Sequence, residues 1–466
     1  MFIYNTAKKE KEEFIPLQEN FVRIYVCGPT VYDDAHLGHA RSSIAFDLLR
    51  RVLIALGYEV TFVKNFTDID DKIIQKMNQS GKSMHRIVTH YINRYKEDMR
   101  ALGVLDADIE PKATQNIEAI IEFISHLVKK GCAYIIDGGV YFDTSKDDLY
   151  LSLSRRNANE SQNIARIETN TQKKDPKDFA LWKFSKPNEP SYESPWGAGR
   201  PGWHIECSAM IKKHLATQNE YQIDIHAGGA DLLFPHHENE AAQTRCESGQ
   251  HLAKYWMHNG FVQIDGEKMS KSLGNSFFIK DALKIYDGEV LRFYLLSTHY
   301  RANFNFNEED LKSSKKRLDK LYRLKKRISV NSGSSVKKEF KQKVLEALED
   351  DLNISLALSH IDEMVQQTNE KLDQNPKNKA LKKETFSNIS FINELLGIAG
   401  KDPYEYFQQG IDENTKRKIQ ELMKKRDLAK KNRDFEASDA IREELAQMGI
   451  QIMDTPNGSV WEKKEE

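Results

Sequence analysis

The chain has 466 residues, a net charge of −1, and 30% charged against 39% hydrophobic residues. That length suits about three domains with substantial cores, and the charge balance excludes a uniformly basic nucleic-acid binder, so any such surface must be local. Four cysteines (Cys27, Cys132, Cys207 and Cys246) are too few for a disulfide framework, the N-terminal MFIYNTAKKEKEEF lacks a signal peptide's apolar run, and no segment has the apolar length of a membrane span, so a reducing cytoplasm is expected.

Met1 to about Leu102 reads as βαβ material. Arg23 to Val26 alternate as a buried strand, ended by Cys27-Gly28-Pro29. His36-Leu37-Gly38-His39 opens a helical run with Ile44, Leu48, Leu49, Val52, Leu53 and Leu56, closed by Gly57, and Tyr58 to Val63 forms the next strand. A helix start attracts phosphate, and Gly38 lets a ribose or ring approach the backbone. His36 and His39 share a helix face and both can donate to phosphoryl oxygens, although an isolated H-x-x-H is more often a pair of surface histidines. Thr67 and Asp68, at the next strand's carboxyl end, are pocket candidates or an N-cap cluster for the helix Asp71 to Gln79.

Ile117 to Lys130 is an amphipathic helix stopped by Gly131. Tyr134 to Ile136 and Val140 to Phe142, joined at Gly138-Gly139, make a hairpin. A polar tract from Ser154 to Lys177 and a Pro/Gly/Ser-rich stretch to Pro201 mark an insertion between two halves of a nucleotide-binding fold. From Pro201 to Gly260 sheet-and-helix material returns, carrying Gly202-Trp203-His204-Ile205-Glu206-Cys207, then Asp224 to Asp231 with Gly228-Gly229, then Phe234-Pro235-His236-His237-Glu238-Asn239-Glu240. Phe261 to Ile264, turned by Asp265-Gly266, leads into Lys268-Met269-Ser270-Lys271-Ser272, a Ser/Gly loop expected to be mobile, whose two lysines suit phosphates.

Leu311 to Arg327 is a strongly basic amphipathic helix, either a solvated face or an RNA-backbone contact. A polar linker follows at Asn331 to Ser335, then helices over about Val336–Asp351, Ile354–Gln374, Lys379–Leu396 and Asn414–Asn432. The tail from Phe435 holds one more helix and ends in short extended pieces, Ile450 to Met453 and Ser459 to Trp461, around Asn457-Gly458.

His236 and Glu240, four apart, have a metal-ligand spacing, and with Cys27 and Cys207 they make a mixed soft and hard tetrahedral set suited to zinc. Spacing alone leaves His237 with Glu238 as an alternative pair and the cysteines as ordinary buried thiols.

HLGH and KMSKS together resemble the HIGH and KMSKS signatures of class I aminoacyl-tRNA synthetases, with Leu for the usual Ile. A Cys before the HIGH loop, GWHIEC and FPHHENE make the resemblance, along essentially the whole chain, one to cysteinyl-tRNA synthetases of bacterial type. The resemblance implies an α/β fold in which a Rossmann-like parallel-sheet catalytic domain carries an insertion, followed by an α-helical bundle and a small C-terminal α+β anticodon-binding module. Its divisions fall at 1–132 and 201–260 for the two catalytic halves, 133–200 for the connective insertion, 261–330 for the KMSKS loop and stem-contact region, 336–400 for the bundle and 401–466 for the anticodon-binding module.

The same resemblance implies ATP-dependent attachment of L-cysteine to tRNA(Cys) through a cysteinyl-adenylate, by a cysteine–tRNA ligase; no exposed apolar stripe in the sequence demands a dimer, so a monomer is expected. It places one Zn²⁺ on Cys27, Cys207, His236 and Glu240 and leaves Cys132 and Cys246 structural. ATP with Mg²⁺ falls to His36, Gly38, His39, Asp231, Lys268 and Lys271, with His36, His39, Lys268 and Lys271 catalytic. Gly28, Thr67 and Trp203 fall to the amino acid, and Phe435 and Asp439 (where the family often has Trp for the aromatic) to the anticodon. A zinc-bound thiolate would separate cysteine from the near-isosteric serine without editing, consistent with the short insertion. Lys72-Ile73-Ile74-Gln75-Lys76 is either a basic helix start or a segment that the family has been linked to through pyridoxal phosphate and persulfide formation. Two rival expectations are a cysteine-activating ligase with a small amine acceptor and a non-catalytic RNA-binding derivative.

Overall fold

The computed structural model describes residues 1–156, 172–264, 267–268, 277–330, 332–455 and 458–464. The lysine-serine loop beyond Lys268, with its expected mobility, and most of the polar tract lie outside the described residues. The chain divides into two units, one of 1–279, 295–307 and 344–357, the other of 280–294, 308–343 and 358–466.

In chain order the first unit begins with a hairpin, β1 (Phe2–Asn5) and β2 (Glu10–Glu13). β3 (Phe21–Val26), α1 (Leu37–Ala55) and β4 (Glu59–Lys64) make the expected βαβ unit, with Gly57 at a φ of 94° closing the helix. α2 (Asp71–Ser80), capped by Asp70 and ended by Gly81 at a φ of 65°, and α3 (Met84–Ala101) follow, then α4 (Ile117–Lys129). The insertion is an antiparallel sheet of β5 (Ala133–Ile136), β6 (Gly139–Phe142), β7 (Phe179–Phe184) and β8 (Gly199–Pro201), paired in that order. β9 (Tyr221–Gly229) and β10 (His251–Asn259) return to the main sheet.

The main sheet is wholly parallel, in the order β10-β9-β3-β4. Its strands are buried on both faces, which is why Ile24, Tyr25 and Val26 and then Tyr255, Trp256 and Met257 run apolar residues without a break, while β9 alternates Ile223, Ile225 and Ala227 with the buried polar Gln222, Asp224 and His226. β3 has its sequence neighbour β4 on one side and the distant β9 on the other. Connections therefore leave in opposite directions at β3 and β9, and a crevice opens beyond their carboxyl ends, where open α/β sheets hold ligands. β11 (Val262–Ile264) pairs antiparallel with β12 (Glu267–Lys268) and parallel with β13 (Phe304–Phe306); the Asp265-Gly266 turn expected there lies outside the described residues.

The second unit is helical and ends in a hairpin. Its long helix, Glu308–Ile328, buries Leu311, Leu318, Leu321, Leu324 and Ile328. Several of its cations are paired, Arg317 with Asp362 at 2.7 Å, Arg327 with Asp373 at 2.5 Å and Lys326 with Glu462 at 2.5 Å. Lys312, Lys316, Lys320 and Arg323 are exposed at helical spacing, so the basic helix is part structural and part solvent-facing. Helices Glu413–Lys431 and Phe435–Gln447 pack with strands Ile450–Thr455 and Gly458–Lys463 around Ile419, Leu422, Leu445 and Trp461.

Candidate metal centre and nucleotide cleft

Where β3 stops, the Cys27 amide donates to the Ala227 carbonyl of β9 at 3.1 Å, so the cysteine sits at the sheet's split. The Gly28 amide donates to Asn65 Oδ1 at 2.8 Å, and a Cβ at Gly28 would lie 1.6 Å from the Asn65 carbonyl oxygen. Only glycine fits that close approach.

His36 is the N-cap of α1. Its Nδ1 accepts from the Gly38 amide at 3.1 Å, while His39 Nδ1 accepts from the His36 amide at 3.3 Å. This is a capping box in which two imidazoles replace the usual hydroxyl and carboxyl groups. The rings stack 3.8 Å apart. Because each Nδ1 is an acceptor, the neutral ring carries its proton on Nε2, a donor.

Both histidines line a cleft of about 740 Å³, with Cys27, Gly28, Gly38, Trp203 and Asp231. Asp231 follows β9, and a Cβ at Gly229 would lie 2.5 Å from its Oδ1. Thr67 is buried, its backbone paired with Pro29 and Val31 at 3.2 Å each, and Asp68 accepts from the Thr114 amide at 2.9 Å. Neither belongs to the cleft's described lining; they brace its wall. Lys268 ends β12, and Lys271 lies outside the described residues. Phe435, 65% exposed, and Asp439, exposed, lie on the first turns of their helix in the second unit.

Cys27, Cys207, His236 and Glu240 bring one donor atom each within 4.8 Å of one another. Cys27 Sγ is 3.8 Å from Cys207 Sγ and 3.7 Å from Glu240 Oε1, and His236 Nε2 is 2.9 Å from Glu240 Oε1. Two sulfurs on a tetrahedral zinc, each about 2.3 Å from the ion, stand roughly 3.8 Å apart, so the sulfur pair fits zinc. The helix Trp203–His214 supplies Cys207. His236 comes from an irregular turn, Leu233–His237, and Glu240 sits on the helix Glu238–Ser248 that follows.

Charge in this cluster is paired within it, a proton on His236 facing the Glu240 carboxylate, and that proton must leave for His236 to ligate a metal. A hydrogen bond from Cys27 brings the Cys207 thiol down to about 6, while burial pushes the Cys27 thiol well up. Burial disfavours a charged Glu240, yet His236 and His226 hold its carboxyl at about 2. Burial likewise opposes charge on His236, but Glu240 raises it to about 10. Around the cluster, His226 Nε2 is 2.7 Å from Glu240 Oε2 and His204 Nδ1 is 2.9 Å from His236 Nδ1, fixing both groups from behind as outer-shell partners do. Trp203 stacks on His236 with centroids 4.2 Å apart.

A second grouping, Cys27, His226, His237 and Glu240, is equally compact. In it His226 is already bonded to Glu240, and His237 Nδ1 is 2.8 Å from His258 Nε2. Sequence reading missed His204 and His226. His226 lies in the quoted Asp224–Asp231 stretch, but nothing in its spacing pairs it with Glu240. It also missed Lys64, Lys72, Lys76 and Tyr95 as cleft residues, since they come from separate elements.

Residues 13–316 match the family model described as the tRNA synthetases class I (C) catalytic domain, and residues 343–400 match the DALR domain. The chain is 64% identical over 464 residues to a cysteine–tRNA ligase of Aliarcobacter butzleri, covering 99% of each. It is 64% identical over 466 residues to the cysteine–tRNA ligase of a Nitratiruptor species, covering 99% of this chain and 100% of that one. Its fold is similar to that of Mycobacterium tuberculosis methionyl-tRNA synthetase in complex with methionyl-adenylate, with a TM-score of 0.59 and 16% identity over 81% of this chain and 92% of that one.

Proposed function

Because the chain belongs to the cysteinyl-tRNA synthetases, a class I family here of bacterial type, we propose that Cys27, Cys207, His236 and Glu240 hold one zinc ion at the cleft and that His36 and His39 work beside it on ATP. The activity is that of a cysteine–tRNA ligase: cysteine is activated with ATP as cysteinyl-adenylate and charged onto tRNA. The juxtaposition of the four-donor cluster with the stacked histidine pair, in one crevice, carries the assignment of residues.

When bound, zinc supplies a thiolate-preferring position that lowers a thiol's pKa and leaves a hydroxyl a poor competitor. Trp203, held against His236, walls the pocket beside that thiol. Gly28 keeps the strand end open to the amino acid, and Thr67 holds the Pro29–Val31 loop from behind. The substrate carboxylate forms a bond to the α-phosphorus as the bond to the bridging oxygen breaks, and pyrophosphate leaves with the electron pair. Mg²⁺ accompanies ATP. His36 and His39 donate through Nε2 to phosphate oxygens as charge builds, Lys271 with Lys268 covers the β and γ side, Gly38 admits the nucleoside and Asp231 accepts from ribose hydroxyls. A ribose hydroxyl of the tRNA's terminal adenosine then forms the ester as the acyl–phosphate bond breaks. AMP leaves with the electron pair, and the hydroxyl proton passes to its phosphate.

For tRNA(Cys), exposed Phe435 stacks on an unpaired anticodon base and Asp439 accepts from a base edge, while Lys312, Lys316, Lys320 and Arg323 offer charge to the backbone. The division into catalytic halves, insertion, stem-contact region, bundle and anticodon-binding module follows the expectation from the motifs, and the enzyme works as a cytoplasmic monomer. The test is charging of total tRNA with labelled cysteine and ATP beside a serine control. Cysteine transfer alone supports the reading; pyrophosphate exchange without tRNA charging would move it to a small-amine ligase, and neither would overturn it.

A further inference from the structure

We propose that Lys64 is a further phosphate-binding residue of the ligase, its ammonium meeting the polyphosphate of ATP beside His39; this rests on the ligase reading above. Lys64 ends β4 and belongs to the lining of the nucleotide cleft. Its Nζ donates to Ser43 Oγ at 2.7 Å and to Tyr95 OH, and those two hydroxyls are 2.9 Å apart. Ser43 and Tyr95 are buried, and Lys64 is half-buried. Among the described residues no carboxylate lies within ion-pair distance of its ammonium. Two buried hydroxyls thus fix the cation without neutralising it. A part-buried charge held only by neutral groups is costly until an anion completes it. An ammonium has three N–H donors; two are engaged, and the third remains for a ligand.

The anchors of Lys64 belong to the histidine pair's own surroundings. Ser43 stands one turn beyond His39 on α1, so the two share a helix face. Tyr95, from α3, meets the His39 ring edge-on with centroids 6.3 Å apart. A polyphosphate that accepts from His39 Nε2 therefore comes to the ammonium as well. The wider lining has the same sign, with Lys64, Lys72 and Lys76 against Asp33 and Asp231. Adenine and ribose carry no charge for a cation to meet, whereas the polyphosphate is strongly anionic and gains charge on the leaving pyrophosphate as its bridging bond breaks. An ammonium already held in place by Ser43 and Tyr95 stabilises that charge without reorganising.

The test uses the full-length, zinc-loaded protein. In Lys64→Met, kcat/KM for ATP in cysteine-dependent pyrophosphate exchange should fall by about tenfold to a hundredfold, the scale of one lost hydrogen bond to a charged group. Lys64→Arg, which keeps the charge, should recover to within about fivefold of wild type. A cysteinyl sulfamoyl-adenosine, an adenylate analogue with neither phosphate nor pyrophosphate, should bind both variants within about twofold of wild type, because it lacks the groups that Lys64 meets. On the unmodified protein, an ATP analogue carrying an aldehyde on its terminal phosphate should condense with the Lys64 amine, losing water. Borohydride then reduces the imine to a stable amine, and excess ATP should protect. Exchange unchanged in Lys64→Met, analogue binding lost together with exchange, or labelling of other lysines only overturns the proposal while leaving the ligase reading intact. So does transfer from preformed adenylate to tRNA that falls while exchange holds, which would give Lys64 to a tRNA phosphate. A wild-type protein that exchanges no pyrophosphate overturns the ligase reading itself.

Discussion

His36 and His39 stack ring on ring, 15° from coplanar, and each also caps the helix it begins. One pair of side chains thus terminates a helix and presents donors to the cleft. The two roles separate by substitution. His36→Asn keeps an N-cap acceptor but loses the Nε2 donor, so it should retain stability in urea melts while pyrophosphate exchange falls by about 10² or more. His36→Ala should lose both, with about 1 kcal/mol of stability gone as well. Equal activity in the two variants and wild type would remove His36 from the phosphate site.

Cys207→Ala should lose zinc and selection of cysteine over serine together. Metal content and exchange with each amino acid check this. The competing group built on His226 and His237 expects the reverse: zinc retained in Cys207→Ala and lost in His237→Ala.

Gly28→Ala forces a methyl to within 1.6 Å of the Asn65 carbonyl oxygen, a clash with backbone that cannot rotate away. A loss of about 3 kcal/mol or more in thermal or urea unfolding is expected, with zinc release following as the Cys27 strand end shifts. A melting curve like wild type would show the wall to be far softer than its packing implies.

Lys271→Ala should slow adenylate formation much more than it weakens cysteine binding, because its contacts belong to the transition state. Pre-steady-state exchange against equilibrium cysteine titration distinguishes this from a general binding defect, in which both fall equally.

In the C-terminal hairpin, hydrogen bonds from Arg426, Lys430 and Ser459 hold the Asp454 carboxyl far below the usual carboxylate range. A depressed folded-state value gives stability that is present above the unfolded value of about 3.9 and lost as pH falls toward the folded one. Fluorescence of Trp461, buried in the same hairpin, should report an acid transition below about pH 4 that Asp454→Asn flattens.

Much of the fold was legible because it rests on local pattern. The βαβ unit from β3 to β4, the stop at Gly57, the hairpin around Gly138-Gly139 and the extended pieces Ile450 to Met453 and Ser459 to Trp461 follow from periodicity and turn chemistry. The starting hairpin, α3 and the pairing of β7 with β8 carried weaker signals: β2 is four charged residues, and β8 is three residues ending in proline.

By itself the sequence determined the residue types and their local settings: imidazoles at a helix start, a thiol at a strand end, a histidine and a glutamate four apart. Only the tertiary structure decided which of these meet. Cys27 and Cys207 are 180 positions apart and touch because β9 pairs with β3 and the helix Trp203–His214, which precedes β9, packs Cys207 against Tyr25 of β3 and Ile223 of β9. It also decided the charge states. The positions of His226 and His204 behind Glu240 and His236 depend on how strand β9, the irregular turn and two helices converge. In a buried site those neighbours outweigh the intrinsic character of each side chain, since desolvation magnifies every nearby charge and hydrogen bond.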